Sequence, residues 1–306
     1  MRPAALVAAY AGDLALGDPA RLHPVSGFGR LAAALERLAW QPRRDAGALY
    51  AGALVAGTGA AAAFAERALG RRGRAALLVL VLWSTLGGRS LARAGGHLAT
   101  LLADDRLEDA RRHLPVLAGR DPGTLGPAEL ARAGVESVAE NTADAVVGPL
   151  LWGALGGAAG AAAYRAANTL DAMVGHRSPR HERFGWAAAR LDDALTWPAA
   201  RLAAGLAVAL SPLVGGDAGG AWRTLRRDGA AHPSPNAGRV EAAFAGALGV
   251  GLGGPNVYEG RVDERPRLGT GPPPGADDLR RAVRLSGWVG AASALLLAGL
   301  ARVVGR

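Results

Sequence analysis

Charge is absent from long blocks of this chain, and that limits what it can fold into. No acidic or basic side chain interrupts Ala46–Ala65, Ala75–Gly88, Ala145–Tyr164, Leu202–Gly216 or Leu285–Ala301, and a shorter run covers Pro3–Gly12. A helix that crosses a bilayer needs about 20 mainly apolar residues, within a range of about 17–25. Three of the runs meet that requirement unaided. The stretches at 75–88 and 202–216 meet it once the long stems of Arg89 and Arg201 snorkel to the interface. The expected fold is all-α: a multi-pass integral membrane helical protein with extramembrane helices and a Gly/Pro-rich loop region. We expect a single membrane domain over 1–306, with polar substrate loops at about 13–45, 89–144, 168–193 and 217–284.

Composition removes several chemistries. Every one of the 35 basic residues is Arg, so there is no Schiff-base lysine and no Walker A lysine. The absence of Cys removes disulfides, thiolate nucleophiles and thiolate metal sites. A net charge of +9 raises the question of nucleic acid. The arginines, however, lie mostly in loops beside apolar runs, as on a membrane surface, and no zinc-finger or RNP pattern accompanies them. Met1-Arg2 with Pro3–Gly12 imitates a signal peptide. Asp13 cuts that apolar core short and no small-x-small site follows, so the segment is expected to stay in the mature chain.

Two copies of Asn-Thr-x-Asp bracket the run 145–164: Asn141-Thr142-Ala143-Asp144 before it and Asn168-Thr169-Leu170-Asp171 after it. Polar side chains at both mouths of a membrane segment are costly to keep unless they bind something. A straight helix over 145–167 would set the copies about 35 Å apart, on opposite membrane faces. Gly156-Gly157 and Gly160 near its middle allow instead a re-entrant pair of half-helices that returns both copies to one face. Each copy taken alone also reads as a helix cap. On the preceding helix, starting near Pro127, Glu136, Glu140 and Asp144 follow at i, i+4 and i+8, within an arc of about 80°. Carboxylates that close repel unless a cation lies among them, although a solvated acidic face has the same pattern. Asp192-Asp193 cannot share one helix face, so one is free for a ligand while the other caps or pairs with Arg190. The turns Ser234-Pro235-Asn236-Ala237-Gly238 and Leu252-Gly253-Gly254-Pro255-Asn256 suit oxyanions through their backbone amides, or are ordinary turns. The basic turn with Arg67, Arg71, Arg72 and Arg74 points inward by the arginine rule. That choice would leave 13–45 and 89–144 outside, so either the hairpin is inverted despite its arginines or one of the pair, the short 75–88 helix first, is interfacial.

Taken together and in order, these blocks resemble the CobD/CbiB family of cobalamin biosynthesis, the adenosylcobinamide-phosphate synthases. The resemblance runs through Asp13, Gly17-Asp18-Pro19 and His23-Pro24-Val25, then Glu136 to Asp144 and Asn168 to Gly175. It continues through Phe184-Gly185, Ala189 to Asp193, Ser234 to Gly238, Glu241-Ala242-Ala243 and Leu252 to Asn256. The chain departs from the family pattern at Ala145, at Arg239-Val240, and in the extra residue of Trp197-Pro198-Ala199-Ala200-Arg201.

The resemblance implies ATP-dependent joining of the free propionate of adenosylcobyric acid to aminopropanol or its O-phosphate. The product is adenosylcobinamide or its phosphate. A carboxylate is a poor electrophile, so one of its oxygens must become a leaving group, most simply as an acyl phosphate made with ATP and Mg²⁺. In that scheme Glu136, Glu140, Asp144 and Asp171 are the candidate Mg²⁺ ligands. Asn141, Asn168, Asn236, Asn256, Asp18 and Glu241 are candidates for substrate or nucleotide binding. Arg190 would clamp phosphate, Asp192 or Asp193 would take the proton from the attacking ammonium, and His23 is either an alternative base or a cap. Expected partners are the corrinoid, the amino alcohol, membrane lipid and other corrinoid-pathway proteins, with no nucleic acid. The expected location is the cell membrane with the active face cytoplasmic. Two other readings use the same residues: a Mg²⁺-dependent membrane transferase acting on a diphosphate-linked lipid, and a corrinoid carrier with a broken-helix site.

Overall fold

The computed structural model describes residues 1–18, 23–123, 125–176, 178–258 and 261–304; Pro19 of the Asp18-Pro19 pair lies outside them. In chain order the helices are α1 (Arg2–Leu16), α2 (Pro24–Ala39), α3 (Arg44–Ala68), α4 (Arg71–Thr85), α5 (Gly88–Ala103), α6 (Leu107–His113) and α7 (Pro127–Thr142). A π-helical turn, Ala143–Val147, leads into α8 (Gly148–Leu170), and a second one, Asp171–Gly175, follows it. Then come α9 (Trp186–Leu210), α10 (Ala218–Asp228), α11 (Ala237–Leu248), strands β1 (Leu252–Tyr258) and β2 (Arg261–Leu268), and α12 (Ala276–Val304). Five stretches are long and apolar enough to cross a membrane: Arg44–Ala68, Arg71–Ala103, Pro127–Gly175, Trp186–Val214 and Ala276–Val303. The chain is therefore a multi-pass helical membrane protein. Its one sheet among the described residues is the antiparallel pair β1–β2, and residues 252–256, expected to form a turn, lie within strand β1.

Two compact units make up the chain. The first holds 1–87, 144–199 and 294–306; the second holds 88–143 and 200–293. In the first unit the longest apolar stretch is not one crossing. Gly157 has φ +67° and ψ −151° inside α8, a left-handed backbone that side-chain-bearing residues avoid. There the helix folds back on itself as two arms. The proof is contact between residues that a straight helix would hold far apart. The Tyr164 hydroxyl donates to the Asp144 carbonyl at 3.1 Å, across a sequence separation that spans about 30 Å of straight helix. The Tyr164 ring lies over Gly148, where a Cβ would fall 2.2 Å from the phenol oxygen.

A turn of this kind at membrane depth leaves helix-end groups to satisfy. Arg2 donates to the carbonyls of Ala154 and Leu155, both at 3.3 Å, which end the first arm. Glu66 accepts the Ala158 N–H at 2.8 Å, which begins the second. A cation thus meets a helix C-terminus and an anion meets an N-terminus, as the helix dipole favours.

The base of this hairpin packs into an aromatic core. Tyr50, Ala51 and Leu54 of α3 meet Leu170, Val174, Phe184 and Ala188, and Ala32 of α2 closes the cluster. The Tyr50 and Phe184 rings sit 5.1 Å apart, and the Tyr50 hydroxyl donates to the Ala32 carbonyl at 2.9 Å. Asp13, expected to open a polar loop, is instead fully buried within α1. Residues 168–175, also expected in a loop, are helical. In both places polar side chains mark inward-facing helix positions rather than loops.

In the second unit α10 packs along α11, and α11 packs on α7. Thr142 and Ser286 bind hydroxyl to hydroxyl at 2.7 Å, tying α7 to α12.

Candidate active site

The duplicated motif is longer than Asn-Thr-x-Asp. Residues 139–148 and 166–175 share the pattern Ala-x-Asn-Thr-x-Asp-Ala-x-Val-Gly. The likeness is structural too. Thr142 donates to the Val138 carbonyl at 2.6 Å and Thr169 to the Arg165 carbonyl at 2.7 Å, each four residues back. Each copy then passes into a π-helical turn. Neither threonine caps a helix start, so the local capping alternative is set aside. Backward hydroxyl bonds compete with the regular ladder and bend helices, and π turns recur at functional sites.

In the first unit the hairpin base gathers a polar cluster around Asn168. Its amide donates to Asp192 Oδ1 at 3.2 Å and, at the long limit of 3.5 Å, to Asp144 Oδ2. Its oxygen accepts from Arg165 at 3.1 Å. A carboxamide carries two N–H donors and one acceptor oxygen, so one Asn can bridge two carboxylates and a guanidinium. Thr196, one turn beyond Asp192, lies 3.4 Å from the same Asp192 oxygen and 3.2 Å from the Tyr164 hydroxyl. Asp18 is within electrostatic reach of Arg165, as are Asp144 and Asp192. Asn168 and Arg165 thus join Asp144 and Asp192 in one polar network. Asp171 lies half-buried three residues after Asn168, with its Oδ1 so close to Gly175 that any Cβ there would collide with it.

The other candidates of this unit have local roles. Asp193 pairs with Arg190 at 3.6 Å, while its neighbour Asp192 is buried. His23 caps α2, its Nδ1 accepting the Val25 N–H at 3.2 Å.

The second unit holds a different cluster. Glu136 is buried; one oxygen accepts the Gly253 N–H at 2.7 Å and the other binds Arg120. Arg132, one turn earlier on α7, donates to the carbonyls of Gly253 and Pro255. One turn of α7 therefore grips both polar backbone groups of Gly253. Glu140 is exposed and Glu241 is buried. Burial pushes the Glu241 carboxyl well above the usual range, and the charges of Glu136 and Glu140 add to that against the pull of Arg120 and Arg265. Burial likewise pushes the His232 imidazole down, with Arg265 reinforcing the shift.

The glycine-rich turns spend their amides internally. Gly253 gives its N–H to Glu136, and the N–H groups of Asn236 and Ala237 point to Ser234 Oγ. These particular donors are engaged within the protein, as the ordinary-turn alternative has it. Asn236 accepts from Arg201 at 2.8 Å. Asn256 is buried, and its carboxamide oxygen accepts no hydrogen bond among the described residues. Asn141 turns back to the Ser137 carbonyl at 2.9 Å.

The four carboxylates proposed as metal ligands divide between the units, Glu136 and Glu140 in the second and Asp144 and Asp171 in the first. The regular arc expected for 136, 140 and 144 ends where the π turn starts at Ala143. Among the described residues no three His, Asp or Glu side chains are grouped to hold a metal by themselves. Sequence reasoning passed over Arg165, Thr196, Arg120 and Tyr164. Arg165 did leave a signal: a single arginine closing an uncharged run demands a buried partner.

Comparison with known proteins accounts for the pattern. The family described as CobD/Cbib protein matches residues 6–286. A protein named cobalamin biosynthesis protein CobD from Mycobacterium tuberculosis is 54% identical, covering 93% of this chain and 91% of its own length. Proteins of the same name are 44% identical in Chromobacterium violaceum, covering 94% and 93%, and 42% identical in Rhodobacter capsulatus, covering 92% of each. No solved structure matches. Matched over nearly its whole length and sharing about half its residues with such relatives, the chain belongs to the CobD/CbiB family of cobalamin biosynthesis.

Proposed function

We propose that this protein joins the free propionate of adenosylcobyric acid to aminopropanol or its O-phosphate in an ATP-dependent amide synthesis. The observation that carries the reading is the polar network in which Asn168 bridges Asp144 and Asp192 beside Arg165. In the first step a propionate oxygen attacks the γ-phosphorus of ATP, giving an acyl phosphate and releasing ADP. In the second the amine nitrogen attacks the acyl carbon, the C–O bond to phosphate breaks, and phosphate leaves with the electron pair. The ammonium proton passes to a carboxylate, for which Asp192 and Asp193 are the candidates.

Mg²⁺ takes one or two carboxylates together with phosphates and water, so a protein triad is not required. Asp144, with Asp171 or Asp192, fits that habit, whereas Glu136 is engaged by Arg120 and Gly253. Bound there, the ion would offset charge on the phosphates. Arg165 or Arg190 would orient a phosphate. Purified protein in detergent should release ADP only when adenosylcobyric acid and the amino alcohol are both present. Turnover of a prenyl diphosphate would sink this reading in favour of a lipid transferase, and ATP-independent corrinoid counterflow would favour a carrier.

We further propose that the hairpin base faces the cytoplasm, where ATP is. The short turn at the other end carries Arg67, Arg71, Arg72 and Arg74, with Arg2 beside the hairpin tip. The base end is richer still, with Arg30, Arg37, Arg43, Arg44, Arg180, Arg183 and Arg190, and the rule counts arginines at both ends. Single cysteines placed in this Cys-free chain test the orientation. A membrane-impermeant maleimide added outside should label Gly70→Cys and spare Gln41→Cys; the reverse pattern would overturn it.

A further inference from the structure

We propose that the corner between α2, α3 and the start of α9 is a binding site for the phosphate group of an anionic membrane phospholipid. An open cleft of about 570 Å³ lies here, lined by Arg43, Arg44, Asp45 and Arg183. Asp45 is committed to its neighbour Arg43. That leaves two guanidiniums uncompensated in the lining. Arg183 is exposed and makes no ion pair among the described residues. Arg44 stacks over Trp186 with its guanidinium carbon 5.2 Å from the ring centroid, which fixes its direction without neutralising it. A second cation–π pair, Arg180 over Trp40 at 4.7 Å, joins the turn before α9 to the end of α2, with Arg180 also paired to Glu36.

The position of the cleft decides between a lipid and a soluble phosphate. Arg44 is the first residue of one candidate span and Trp186 the first of another, so the cleft sits where two helices enter the bilayer. Exposed Trp beside Arg is the pattern of a headgroup layer. The adjoining α2 supports the same level. Its inner face, with Phe28, Ala32 and Ala39, packs on the aromatic core, while Leu31, Leu35 and Leu38 at i, i+4 and i+7 are exposed, Leu38 at 84%. An outward leucine stripe on an arginine-bearing helix is what lies along an interface, apolar side down. The phosphodiester of a lipid held by that surface comes level with Arg44 and Arg183. Neither arginine belongs to the catalytic machinery proposed above.

The test uses the full chain purified in a neutral detergent, with phosphatidylglycerol and phosphatidylcholine of equal acyl length as probes and native mass spectrometry to count retained lipid. Phosphatidylglycerol should be retained in preference, and the preference should fall about fivefold for each arginine removed in Arg44→Gln and Arg183→Gln. Arg183→Lys should keep most of it. Equal retention of the two lipids, or a preference untouched by the double variant, would overturn the proposal. So would displacement of phosphatidylglycerol by equimolar inorganic phosphate, which would mark a site for free anions. If the double variant unfolds, Arg183→Gln alone carries the test, because that exposed side chain makes no ion pair. Amide synthesis is not the readout, so failure here leaves the enzymatic reading standing.

Discussion

The two polar clusters of this protein contain similar residues and put them to opposite use. In the second unit Glu136 faces Arg120 and a backbone N–H, and Arg132 faces two carbonyls of the same strand. Charge is nearly balanced and the donors are spent on holding β1 against α7. In the first unit the Asn168 carboxamide donates to Asp144 and Asp192 and accepts from Arg165. Buried charge is tolerated cheaply only when it is paired. A balanced cluster therefore reads as framework. On the function proposed above, the first unit's cluster would instead serve a charge that arrives from outside, such as a metal-bound phosphate.

The comparison breaks most readily at the first unit's cluster. Asp144→Asn and Asp171→Asn should each lower amide formation by about 10²–10⁴-fold while the circular-dichroism helix signal and melting temperature stay near wild type. A variant that melts early in step with its lost activity would move Asp144 into the framework class. The balanced cluster should respond the other way. Glu136→Gln removes the carboxylate from its ion pair with the partly buried Arg120 and should cost about 3–5 kcal/mol of stability in denaturant titration. Retained stability with lost turnover would place Glu136 among the catalytic groups instead.

A smaller effect tests the hairpin that assembles the first cluster. Gly148→Ala pushes a methyl into the Tyr164 ring and should destabilise by about 1–3 kcal/mol, read in the same titration. Gly148→Ala combined with Tyr164→Phe should recover little, because the ring itself remains; Tyr164→Ala should relieve the clash. The smallest effect is in pH dependence. Glu241 has its carboxyl raised above the ordinary 4.5, by burial first and by Glu136 and Glu140 next. Its favourable contribution is complete below that ordinary value and is lost as pH rises through the raised one. Melting curves taken from acid to mildly alkaline pH should therefore show Glu241→Gln gaining on wild type as pH increases. Parallel curves would mean that Glu241 is hydrated and charged throughout.

Much of the fold is legible in the residues. The uncharged runs mark the crossings because a helix in lipid must hide its own backbone bonds and present apolar side chains, which is a local property. Pro127 starts α7 as expected, and Asp121-Pro122-Gly123 breaks the chain before it. Runs of apolar residues say less about their ends. The polar positions Asp13 and Asn168 to Asp171 look like loop edges in a one-dimensional reading, yet they lie in helices and face protein. Hydropathy averages a whole turn and cannot distinguish a polar side chain turned inward from one at a surface.

The sequence by itself determined the helical membrane class, the family, and the doubled motif with its hinge glycines, because each of these is carried by residue type and short spacing. Only the tertiary structure decided which of the many carboxylates meet. Gly156-Gly157 and Gly160 permit a reversal at any of three positions, and the structure turns at Gly157, where Arg2 and Glu66 satisfy the cut helix ends. That choice brings Asn168 to Asp144 across the hairpin and to Asp192 on the next helix, while Glu136 is drawn to a strand far along the chain. Such partnerships depend on packing between distant segments. Periodicity reports the face of a helix but not what stands opposite.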